Sequence, residues 1–114
     1  MLNFDTYQEQ VWELAQYPQS GANMVYPALG LAGEAGEVAE KVKKVWRNQG
    51  ITNGALVSDE VALELAKEIG DVLWYCAALA KELNLPLADV AQMNLDKLHD
   101  RNKRGVIKSE GDNR

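Results

Sequence analysis

Residues Ser58–Leu83 read SDEVALELAKEIGDVLWYCAALAKEL. Ala62, Leu65, Ala66, Ile69, Val72, Leu73, Cys76, Leu79, Ala80 and Leu83 return with a 3.6-residue period, the signature of one long helix with an apolar seam. Ser58 is a good N-cap, and Asp59 and Glu60 suit the positive end of the helix dipole. Upstream, Leu31, Ala35, Val38, Val42 and Val45 make a matching seam, predicting a helix from about Pro27 to Arg47. Between the two, Asn48–Val57 carries an Asn-Gly pair and reads as a loop. A first helix is expected to be capped by Asp5, with Gln8 completing a capping box and Phe4, Tyr7, Val11 and Leu14 on its apolar face. Pro86 suits the opening turn of a last helix, Leu87 to Lys103, which Gly105 ends. No strand-like alternation or long repeat intervenes. The expectation is an all-α fold: one domain over residues 1–105 built as an antiparallel four-helix bundle, then a polar, mobile tail over 106–114.

Composition narrows the function classes. The chain has 114 residues, 46% hydrophobic and 25% charged, which predicts a folded domain with a modest core that oligomerisation would enlarge. A net charge of −5 argues against sequence-independent nucleic-acid binding. Cys76 is the only cysteine, so no disulfide forms within the chain, as suits a cytoplasmic protein. His99 is the only histidine, which excludes a site needing several imidazoles from one chain. No apolar run is long enough for a membrane, and the N-terminus does not read as a secretory signal.

Two acidic pairs stand out. Glu34 with Glu37, and Glu68 with Asp71, are spaced i, i+3, which puts each pair on one helix face with Cβ atoms roughly 5–6 Å apart. Glu64, Glu68, Asp71 and Tyr75 share a stripe beside one seam, as Glu34, Glu37 and Lys41 do beside the other. If the seams pack together, the carboxylates form a nest suited to Mg²⁺ or Mn²⁺, hard cations that prefer oxygen ligands. The same spacing equally suits solvated faces with Glu37–Lys41 and Glu64–Lys67 helix pairs. On the last helix, Asn94, Lys97 and Arg101 share a stripe that could meet a polyphosphate, or could simply be a basic helix end. Trp46, at the start of the loop, and Tyr75 could stack on a base; Trp12, Trp74 and Cys76 read as packing residues. A ferritin-type di-iron centre needs Glu-x-x-His motifs, which are absent.

Three stretches in order, GLAGEAGEVAE over 30–40, KEIGDVLWY over 67–75 and NLDKLHDR over 94–101, resemble the MazG-like nucleotide pyrophosphohydrolases. These belong to the all-α NTP pyrophosphatase group, with dCTP pyrophosphatase, dimeric dUTPases and phosphoribosyl-ATP pyrophosphohydrolase. The resemblance spans Tyr26 to Gly105. It implies a bundle completed by oligomerisation as a homodimer or homotetramer. It also implies Mg²⁺-dependent hydrolysis of a nucleoside triphosphate between the α and β phosphates, giving monophosphate and pyrophosphate, and a role in clearing the nucleotide pool. By the family motif Glu34, Glu37, Glu68 and Asp71 would bind metal, and Glu34 or Glu37 would serve as base. Asn94, Lys97 and Arg101 would contact phosphate, and Tyr75 and Trp46 the nucleotide. Gly33 departs from the usual Glu-Glu pair, as in dCTP-type members, and 30 residues separate Glu37 from Glu68, slightly more than usual. A phosphoribosyl-nucleotide or dUTP substrate, and a non-enzymatic, antitoxin-like helical module, are the alternatives.

Overall fold

The computed structural model describes residues 1–105; the tail expected over 106–114 lies outside them. Among the described residues the regular structure is helical: α1 Phe4–Leu14, α2 Val25–Gln49, a 3₁₀ turn Gly54–Leu56, α3 Asp59–Glu82 and α4 Leu87–Lys103. No helix is long and apolar enough to cross a membrane.

Local chemistry sets most of the boundaries. α1 is capped by Asn3 rather than Asp5: the Asn3 side chain accepts from Thr6 N at 2.9 Å, and Thr6 Oγ1 accepts from Asn3 N at 2.9 Å. Thr6 therefore closes the capping box expected of Gln8. α2 begins at Val25, two residues before Pro27, because Asn23 Oδ1 accepts from Val25 N and Tyr26 N. Pro27 is accommodated in that first turn because it brings no N–H that would need a partner there. α2 runs on to Gln49, where Gly50 takes a left-handed conformation (φ 67°) and donates to Trp46 O at 2.8 Å. Ser58 caps α3 as expected, accepting from Val61 N at 3.2 Å.

α3 is the central element. α2 packs along it, while α1 and α4 pack on its C-terminal half and on each other; α2 touches neither α1 nor α4. The buried core therefore sits at one end, where Val11, Tyr17, Ala77, Ala78, Ala80 and Leu87 meet, with Tyr7, Trp12 and Trp74 against them. Phe4 and Leu14, expected on the apolar face of α1, are exposed. Gln8 is buried and acts as the clasp of this end. Its Nε2 donates to Ala77 O (3.2 Å) and Leu85 O (3.0 Å), and its Oε1 accepts from Leu87 N (3.0 Å). Glu82 performs the same task for the α1–α2 connection, accepting from Tyr17 Oη, Gly21 N (2.8 Å) and Asn23 N (3.1 Å). The all-α class is borne out, but one chain does not close a bundle: the free end of the α2–α3 hairpin leaves Val42, Trp46, Leu63 and Ile69 exposed.

Candidate metal centre

Burial along α3 follows Val61, Leu65, Glu68, Val72, Tyr75 and Leu79, which are less exposed than Ala62, Ala66, Ile69 and Leu73. Along α2 it follows Leu31, Glu34, Val38, Lys41 and Val45. Glu34 and Glu68 thus lie within the packed stripes rather than beside them, and the helix period that buries their apolar neighbours turns them toward each other. Asp71, one turn beyond Glu68, is exposed at the rim.

Glu34, Glu68 and Asp71 can each offer one carboxylate oxygen so that all three lie within 4.8 Å of one another. Partial burial, then the charge of Asp71, the contact with Glu68 and the charge of Glu37, push the Glu34 carboxyl above the ordinary range. A cluster of like charges is what a divalent cation would neutralise, and an all-oxygen donor set is the kind Mg²⁺ or Mn²⁺ takes. The donors therefore fit such an ion. Glu37, predicted as a fourth ligand, is exposed and outside this group, acting on Glu34 from the edge.

Lys41 is the element that sequence reasoning missed. Its Nζ lies 3.0 Å from Glu68 Oε1, reaching across the helix interface instead of pairing with Glu37 one turn away. The hydrogen bond with Glu68 holds the ammonium above its ordinary pKa, against the opposing effect of burial.

Beside the carboxylates is a cavity of about 320 Å³ lined by Glu34, Asp71, Trp74 and Tyr75. Tyr75 is half-buried, with Trp74 edge-on at 5.2 Å. Burial, then Tyr26, Glu34 and Asp71, raise its phenol pKa, so the hydroxyl stays a proton donor. Trp46 lies elsewhere, 60% exposed on a larger apolar groove of about 710 Å³ between the far ends of α2 and α3. Val42, Val45, Ile51, Val57, Leu65 and Ile69 also line that groove. Its size suits a small ligand, but no carboxylate lines it. Asn94 is exposed, Lys97 half-buried and Arg101 buried, all on α4, which does not touch α2. The structure thus brings together Glu34, Glu68, Asp71 and Tyr75, and does not bring Trp46 or the α4 residues to that cavity. His99 is exposed, and Cys76 is half-buried, in keeping with its reading as a packing residue.

A family model for the MazG nucleotide pyrophosphohydrolase domain matches residues 27–106. The gene 37 protein of Mycobacterium phage L5 is 42% identical over 118 residues, an alignment covering 99% of this chain and all of that protein. No solved structure matches the chain.

Proposed function

The chain belongs to the MazG nucleotide pyrophosphohydrolase family, and on that premise we propose that it is a Mg²⁺-dependent enzyme hydrolysing nucleoside triphosphates to monophosphate and pyrophosphate. The observation that carries this reading is the convergence of Glu34, Glu68 and Asp71 from two helices, inside the matched domain, beside a small cavity that Glu34, Asp71 and Tyr75 line.

Glu34, Glu68 and Asp71 would hold the ion, with the charge of Glu37 acting on Glu34 from the edge. When bound, Mg²⁺ would neutralise polyphosphate charge and lower the pKa of an attacking water. Glu34 or Glu37, both beside the carboxylates that would hold the ion, would complete the deprotonation of that water. Tyr75, kept protonated, would donate a hydrogen bond to the nucleotide. Lys41, once released from Glu68, would lie where it could meet phosphate charge. Asn94, Lys97 and Arg101 are assigned to the leaving pyrophosphate, and Trp46 to the base. The protein would work as a homodimer or homotetramer, in which a second copy would bring exposed groups such as Asn94 and Trp46 toward the carboxylates. A non-enzymatic helical module is favoured by one observation, the Lys41–Glu68 pair, which already neutralises part of the acidic face.

The test is turnover of a panel of NTPs and dNTPs with Mg²⁺, with products resolved by chromatography. Monophosphate plus pyrophosphate, lost with EDTA and in Glu68→Gln, is the expected result. Diphosphate plus phosphate would refute the bond assignment. No turnover by a folded, oligomeric protein would favour the module.

A further inference from the structure

Three glycines punctuate the start of α2, and they are not equivalent. A Cβ added at Gly33 or Gly36 would meet nothing within 4 Å. At Gly30 it would lie 2.3 Å from Cε1 of Tyr75, 2.5 Å from Cζ and 2.6 Å from Cδ1, distances at which the ring has to move. Trp74 stands edge-on to the ring at 82° and Tyr26 interacts with the Tyr75 hydroxyl, which leaves the cavity beside the carboxylates as the open side of the ring. Tyr26, Gly30 and Glu34 are successive i, i+4 positions on α2, and Asp71 and Tyr75 are i, i+4 on α3. The seat of the ring is therefore one turn from the place where Glu34 meets Asp71 and Glu68.

We infer that Gly30 is a positioning residue. The Tyr75 ring, seated on bare α2 backbone at Gly30, is the spacer that sets the distance between the α2 and α3 carboxylates and thereby their affinity for a divalent cation. This rests on the metal-site reading above. The physical reason is tolerance. A hard cation takes its oxygens at about 2.0–2.6 Å, so a displacement of one helix by a comparable amount removes a ligand. Alanine favours helix over glycine, so a loss in Gly30→Ala cannot be charged to α2 itself.

Two readouts without nucleotide decide the matter: the Mn²⁺ dissociation constant by calorimetry, and the thermal midpoint in EDTA. With Tyr75 present, Gly30→Ala is expected to weaken Mn²⁺ binding by about tenfold or more, as when a group supporting a metal ligand is lost, and to lower the midpoint. In a Tyr75→Ala background the same change should raise the midpoint and weaken binding no further. Unchanged Mn²⁺ affinity in Gly30→Ala, or equal losses in both backgrounds, would overturn the inference. If Gly30→Ala fails to fold, recovery of the fold in Gly30→Ala/Tyr75→Ala supports it, and continued failure overturns it. Wild-type protein that binds no Mn²⁺ is a different result, which refutes the metal reading and takes this inference with it.

Discussion

At the scale of single residues, the candidate site is a contest over Glu68. Lys41 Nζ holds it at 3.0 Å, and a divalent cation would need the same carboxylate. Removing the lysine charge in Lys41→Met should therefore tighten Mn²⁺ binding. The pair is partly exposed and screened by solvent, so the gain should be no more than about fivefold in affinity. Titration calorimetry on the folded variant measures it, and unchanged or weaker binding would show that Lys41 does not compete. The i, i+3 spacing made Glu34, Glu68 and Asp71 legible in advance. Glu37 was legible too, but spacing alone could not say which member of the pair turns inward. Lys41 read as a partner for Glu37 because sequence displays only neighbours along a helix; its actual partner is 27 positions away across an interface.

Among the elements, α3 matched its reading because period, cap and first-turn charge all point the same way. α1 was placed correctly, yet the roles of its polar residues were not: Asn3 caps it, and Gln8 is buried as a clasp. A buried glutamine cannot be told from a capping one until its partners, Ala77, Leu85 and Leu87, are brought to it. Glu82 is a second such case, and its behaviour is measurable. Burial pushes its carboxyl up, but hydrogen bonds from Tyr17, Gly21 and Asn23 outweigh this and hold the pKa below the ordinary 4.5. A depressed carboxyl stabilises the fold above its unfolded pKa and loses that contribution as pH falls through the folded value. Glu82→Gln should thus cost about 1 kcal/mol at neutral pH, with the gap to wild type narrowing as pH drops below 4.5. Thermal unfolding across pH checks this; a gap that stays constant into acid would mean that Glu82 is held for its shape and not its charge.

The whole molecule is open. Its Cα radius of gyration is 16.7 Å, against about 13 Å for a compact domain of 100 residues. Ile69 is 56% exposed and Leu63 58%, on the half of α3 that α1 and α4 leave uncovered. Sedimentation is expected to report a dimer or larger species at micromolar concentration. Ile69→Glu should dissociate it, forfeiting about 1.5–3 kcal/mol of burial per copy. A wild-type monomer would contradict the assembly.

The amino-acid sequence alone determined the all-α class, the four helices to within a few residues, and the carboxylate pairs, because periodicity, capping and i, i+3 spacing are properties of a chain and its near neighbours. Only the tertiary structure decided that Glu34 joins Glu68 and Asp71 while Glu37 stands off, that Lys41 bridges to Glu68, and that Gly30 alone among the α2 glycines seats an aromatic ring. Those outcomes turn on the rotation and separation of two helices. Many distant contacts acting together set that rotation and separation, and no single stretch of sequence encodes them.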